Sequence, residues 1–209
     1  MKDQILEAYA GARSFEEYRA QMRIHAQAFN RVYERLRFVL DVEARNAPLG
    51  QSALLILTED FCIDSVLNVP LIARLVEASP EAELRIASRD RYRTLANQCP
   101  GRGGVSRLPT VICMDHEGNV NGYWTERSHR DQRWIEAFLA QDPMPDIVLE
   151  DGFPVPELAE WMDRRLAAQL PFLVSTSWCS VRDEVATVAR SQRSFSELAG
   201  TEGPSCTRF

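Results

Sequence analysis

No stretch of these 209 residues approaches the roughly 20 consecutive apolar residues that a membrane-spanning helix needs, so no span is expected. The opening Met1-Lys2-Asp3-Gln4-Ile5-Leu6-Glu7 carries charge where a signal peptide needs an apolar core, and the expected location is the cytoplasm. Basic residues are in deficit, 24 Lys and Arg against 30 Asp and Glu, for a net charge of −6. That field repels phosphate backbones and anionic lipid, so neither nucleic acid nor a membrane surface is expected as partner. The 5 cysteines, at 62, 99, 113, 179 and 206, form no Cys-x-x-Cys pair and no zinc-site spacing. No metal is expected, and in a reducing compartment the resting state of every cysteine is the free thiol. There is no internal repeat and no low-complexity segment. What remains is average, 45% hydrophobic and 26% charged residues, which excludes a disordered, collagen-like or rod-like chain and suits one domain with appendages.

Ser14 and Glu17 stand at capping-box spacing and open a long amphipathic run, Tyr18, Met22, Phe29, Val32, Tyr33, Leu36 and Leu40, which predicts one helix over about 14–43. His25 lies at the edge of that stripe and reads as a partly buried or surface histidine, with no second ligand beside it. After Asn46-Ala47-Pro48-Leu49-Gly50, the continuous apolar run Ala53–Thr58 predicts a strand buried on both faces. A helix with Pro70 inside it follows, where the missing amide predicts a kink, and it stops near Ser79-Pro80. Next come a strand over 84–87, a short helix over 91–98 and a loop over 99–104. Gly101-Arg102-Gly103-Gly104 lacks the Lys-Ser/Thr of a phosphate loop and reads as a linker. Leu108–Met114 and Val120–Trp124, joined through Gly118-Asn119, predict a hairpin, and 131–141 a helix. Beyond Pro143-Met144-Pro145 the pattern predicts helices over 156–170 and 181–198, a strand over 172–175 and a frayed tail after Gly200. Trp124, Trp134, Trp161 and Trp178 fall at packing positions.

The order βαβ, then ββα, predicts an α/β sheet with a parallel unit, an antiparallel edge and helices on both faces. The expected divisions are an N-terminal helical segment (1–50), a core (51–142) and a mainly helical C-terminal extension (143–209).

Cys62 just after a buried strand at the start of a helix, Pro70 within that helix, and Leu108-Pro109-Thr110-Val111 at the head of a later strand together resemble the thioredoxin superfamily. The glycine-bearing hairpin turn at Gly118 adds to the likeness, which covers about residues 14–142. The nearest resemblance is to small bacterial thioredoxin-like proteins that begin with a long amphipathic helix. The chain departs from them in having Phe61 for the usual Trp before the cysteine and Ser65 for the second cysteine, giving Cys62-Ile63-Asp64-Ser65. A resolving thiol is absent from the motif, so the resemblance implies monothiol rather than dithiol exchange.

A cysteine at a helix N-terminus faces free amides and the positive end of the macrodipole, which favour the thiolate; Ser65 can donate to the sulfur, whereas Glu59, Asp60 and Asp64 oppose ionisation. The resemblance implies that Pro109 is cis, that Leu108 lies beside Cys62 and pairs with an extended peptide or glutathione backbone, and that Phe61 forms an apolar lip with Ile63 beside it. Catalysis is expected from Cys62 with Ser65, with no bound cofactor and with glutathione or another low-molecular-weight thiol as co-substrate. Partners are then protein or small-molecule thiols and disulfides. Cys99 is the candidate for a distant resolving thiol, Cys179 and Cys206 rank below it, and Cys113 reads as packing. The alternative reading is a redox-inactive binding module that uses the Pro109 groove and the appended helices, and dimerisation through those helices is expected with it. A peroxidase would need an arginine and a Thr or Ser around its cysteine, and no such local arrangement surrounds Cys62.

Overall fold

The computed structural model describes residues 2–43, 49–146, 149–150, 153–173 and 178–191. Four strands, β1 (Ala53–Thr58), β2 (Glu83–Ser88), β3 (Thr110–Met114) and β4 (Val120–Thr125), form one sheet in the order β2-β1-β3-β4. β1 runs parallel to β2 and antiparallel to β3, and β3 runs antiparallel to β4, so the expected α/β arrangement holds. Every residue of β1 is buried, which is why its sequence is a continuous apolar run rather than an alternation. Leu54 and Ile56 point into one core cluster, and Ala53, Leu55 and Leu57 into another on the opposite face.

The second cluster is closed by α1 (Lys2–Ala10), a helix the sequence pattern did not reveal, through Ile5 and Ala8, and by α5 (Arg93–Asn97) through Leu95 and Ala96. Arg13 and Ile86 exchange backbone hydrogen bonds of 2.8 Å, which occupies the outer edge of β2.

The helix expected over 14–43 is two helices, α2 (Phe15–Gln21) and α3 (Ala26–Glu43). The capping box is present: Glu17 N–H donates to Ser14 Oγ at 3.2 Å, and Ser14 N–H to Glu17 Oε2 at 2.7 Å. The helix breaks because the Asp60 carboxylate captures the amides of Arg23 and Ile24, at 2.8 and 3.1 Å, and His25 takes φ 58°. Apolar periodicity hides the break, since Phe15, Phe29, Val32, Tyr33 and Leu36 all enter the first cluster. The Phe15 and Tyr33 ring centroids, from opposite sides of the break, are 4.9 Å apart.

α4 (Ile63–Glu77) crosses the first cluster and runs on through Pro70. In the β3–β4 turn, Asp115 Oδ1 accepts from the amides of Glu117 and Asn119, both at 2.9 Å, and Gly118 takes φ 79°. α6 (His129–Gln141) starts on Ser128, whose hydroxyl accepts from Asp131 N–H.

The chain then forms a short hairpin of β5 (Leu149–Glu150) and β6 (Phe153–Pro154), α7 (Pro156–Phe172) and α8 (Trp178–Ala189). Leu158, Trp161, Met162 and Leu166 of α7, and Val181, Val185, Ala186 and Ala189 of α8, belong to the same buried cluster as α4. α8 is pinned to β4 by Trp124 Nε1–H donating to Glu184 Oε2 and by Asn121 Nδ2–H donating to the Ala189 carbonyl, both at 2.8 Å. The strand expected at 172–175 is not one: Phe172 ends α7 and Leu173 stays in the right-handed helical region, while 174–175 lie outside the described residues. The helix expected over 181–198 is observed to Ala189; 192–198, the tail after Gly200 and Cys206 lie outside them as well. Among the described residues no helix is long and apolar enough to cross a membrane, and no cluster of His, Cys, Asp and Glu is arranged to hold a metal ion.

Candidate functional site

Cys62 is the N-cap of α4, in extended backbone conformation, with its amide donating to the Glu59 carbonyl at 3.3 Å. The residue as a whole is half-buried. Sγ lies 3.7 Å from the Leu108 carbonyl oxygen, and the Leu108–Pro109 peptide is cis. Phe61 and Leu108 are half-buried and Pro109 is buried. The structure thus brings Cys62, Ser65, Leu108 and Pro109 together, with Phe61 beside them. Ile63 departs from the expected groove wall: its side chain is buried in the core cluster under α4, because the first turn of the helix points it inward.

Ser65 is buried and accepts a hydrogen bond from Thr58 Oγ1 at 2.6 Å. Its hydroxyl and amide both face the Cys62 sulfur and favour the thiolate, as does Arg165. Burial acts the other way and dominates, Asp64 adds to it, and the thiol is pushed above its ordinary value. Burial more than the acidic neighbours therefore sets the balance toward the thiol. Only one of the three acidic residues is a principal opponent. Glu59 accepts from Ser88 Oγ at 2.7 Å and Asp90 N–H at 2.9 Å, and Asp60 caps the α2–α3 break.

Asp64 is 5% exposed and carries two arginines. Arg127, after β4, donates from Nε to Oδ1 at 3.0 Å and from Nη2 to Oδ2 at 2.5 Å; Arg165, on α7, donates from Nη2 to Oδ1 at 2.5 Å. Burial pushes the carboxyl up, but the two guanidiniums outweigh it and hold Asp64 below the usual carboxylate range. Arg127 also pairs with Glu126 Oε1 at 2.8 Å, and Glu126 N–H donates to the Pro109 carbonyl at 2.7 Å, which ties the arginine to the Leu108–Pro109 segment. Asn68 Nδ2–H bridges the carbonyls of Asp64 and Glu126 at 2.9 and 3.2 Å.

Thr58, Arg127 and Arg165 escaped the sequence reading. For Arg165 a signal existed: it falls in the buried row Leu158, Trp161, Met162 and Leu166, a charged residue in an apolar stripe. Arginines thus do approach the cysteine through the fold, although both are engaged by Asp64.

The other thiols are separate. Cys99, the expected distant resolving thiol, is fully buried in the cluster on the sheet face opposite α4, and burial pushes it up to about 12. Cys113 is likewise fully buried, its pKa also pushed up to about 12, in the packing role expected of it. Cys179 is half-buried against the first cluster. His25 is half-buried, and burial lowers its basicity. The segment read as a linker forms a turn anchored by Arg102 Nη2–H on the Arg127 carbonyl at 3.3 Å.

A four-stranded mixed sheet with a cysteine at the helix N-cap after its central parallel strand, facing a cis-proline segment, defines the thioredoxin-like class of proteins. The sequence model described as Thioredoxin matches residues 12–139, well over half of the chain, and the protein belongs to this family. No curated protein matches it. Among solved structures, the 1.5 Å crystal structure of a protein of unknown function from Pseudomonas aeruginosa has a TM-score of 0.53 at 17% identity, covering 88% of this chain and 95% of that one. An HIV epitope-scaffold has a TM-score of 0.51 at 19% identity, covering 78% of this chain and 94% of its own. Both likenesses are of fold.

Proposed function

We propose that the protein is a monothiol exchange protein acting through Cys62 on mixed disulfides or low-molecular-weight disulfides such as oxidised glutathione. The observation that carries this reading is the half-buried residue Cys62 at a helix N-cap, its Sγ 3.7 Å from the Leu108 carbonyl, with the Ser65 hydroxyl and amide directed at the sulfur. Cys62 loses its proton to solvent, and the thiolate attacks one sulfur of R–S–S–R′. A Cys62–S–S–R bond forms as S–S breaks, and R′S⁻ leaves with the electron pair. A second thiolate, R″S⁻, then attacks the R sulfur, forming R–S–S–R″ and returning the Cys62 thiolate, so the cycle needs no second cysteine in the motif. The Leu108 backbone supplies peptide groups for strand-like pairing with a substrate, and Phe61 an apolar wall.

The test is incubation of the native chain with oxidised glutathione followed by peptide mass spectrometry. A glutathione adduct at Cys62, reversible by excess reduced thiol and absent in Cys62→Ser, is expected; a protein that never acquires it sinks the proposal. One feature favours a second reading, a binding module without redox turnover: burial and Asp64 push the thiol above its ordinary value, which disfavours the thiolate. In that case the Leu108–Pro109 groove binds its partner equally well in Cys62→Ser.

A further inference from the structure

Arg165 reaches the thiol site from outside the family's matched residues, which end at 139. Its side chain is 6% exposed, with Nη2 on Asp64 Oδ1 at 2.5 Å and Nε on Gln169 Oε1 at 3.2 Å. Asp64, in the first turn after Cys62, would by itself set a negative charge beside the sulfur in a water-poor site, where charge is weakly screened. We propose that Arg165 is a positioning residue for the Cys62 thiol, neutralising Asp64 from the C-terminal extension so that thiol reactivity depends on the docking of α7. This rests on the thiol-exchange reading above.

The charged and titratable groups around the sulfur come from every element packed there. Asp64 is on α4, Glu59 and Asp60 follow β1, Tyr18 comes from α2, Glu126 and Arg127 follow β4, and Arg165 lies on α7. Glu59 and Asp60 are held by backbone amides elsewhere. In the remaining cluster Asp64 and Glu126 balance Arg127 and Arg165. Arg127 is shared between both carboxylates, so it offsets Asp64 only in part once Arg165 is gone.

The experiment is the pH profile of Cys62 carbamidomethylation by iodoacetamide in the full-length chain, read by mass spectrometry, for wild type, Arg165→Met, Arg165→Lys and Asp64→Asn. The midpoint is expected to rise by roughly one pH unit in Arg165→Met and by less in Arg165→Lys, and to fall in Asp64→Asn, with about a tenfold loss of rate near neutral pH for Arg165→Met. A purely structural role would change the plateau rate at high pH and leave the midpoint in place. If Arg165→Met does not fold, the opposite movements in Arg165→Lys and Asp64→Asn support the proposal, and unmoved midpoints in both overturn it. A wild-type thiol that titrates with the same midpoint as the variants overturns this inference and leaves the exchange reading standing. A wild-type Cys62 that resists alkylation at every pH overturns both.

Discussion

Thr58 Oγ1 donates to Ser65 Oγ at 2.6 Å, which leaves the Ser65 proton free for the Cys62 sulfur. Both hydroxyl residues are buried, so no water competes for the pair. Ser65→Ala removes the last donor. The Cys62 titration midpoint should rise by about half a unit to one unit and the alkylation rate at pH 8 fall several-fold. Stability should drop by about 1 kcal/mol, because the Thr58 hydroxyl loses its acceptor. Thr58→Val tests the chain from its other end: Ser65 keeps its own proton, so the thiol midpoint should move less than in Ser65→Ala.

Thiol accessibility separates the cysteines. Cys99 and Cys113 are fully buried and both are pushed up to about 12, whereas Cys62 is half-buried. Titration with a chromogenic disulfide at pH 8 should modify Cys62 in the native protein and reach Cys99 and Cys113 only with unfolding. Rapid native labelling of Cys99 would show that the sheet face closed by α1 opens on its own.

Asp60 holds the junction of α2 and α3 through two backbone amides. Asp60→Ala leaves both without that acceptor and should cost about 2–3 kcal/mol in urea unfolding. Asp60→Asn keeps one carbonyl oxygen in the same place and should cost less. Neither change touches the Cys62 contacts, so the exchange rate of the folded fraction should stay within about twofold of wild type.

The sheet was legible because its strands obey local rules: β1 is apolar throughout since both faces are covered, and the β3–β4 turn needs the positive φ that Gly118 supplies. The position of Cys62 followed from strand, turn and helix in order. The break at residues 22–25 was hidden because its cause, Asp60, lies 37 residues from Arg23 in sequence, and the apolar stripe continues across it. The partners of Asp64 were hidden for the same reason, since Arg127 and Arg165 lie 63 and 101 residues away. Charged residues read locally look like solvated surface; only tertiary packing shows which carboxylate meets which guanidinium. The reach of Ile63 failed differently, since sequence places a residue beside a cysteine without saying which way its side chain turns.

Acid stability should report the Asp64 cluster directly. The folded-state pKa of Asp64 lies below the ordinary carboxylate value, because Arg165 and Arg127 outweigh the effect of burial. A carboxyl depressed in the native state binds fewer protons than in the unfolded chain. Its contribution is therefore present in full above about pH 4 and is lost as pH falls through the folded value. Asp64→Asn should destabilise the protein by about 3–5 kcal/mol at neutral pH, since it leaves the buried Arg165 guanidinium against a neutral amide and Arg127 with Glu126 alone. The same substitution removes this carboxyl's titration, so the gap between wild type and variant should shrink steadily below pH 4. Urea unfolding of both proteins between pH 2 and pH 7 measures that gap. A difference that stays constant over the whole range would mean that the carboxylate of Asp64 is not charged against its arginines in the native state.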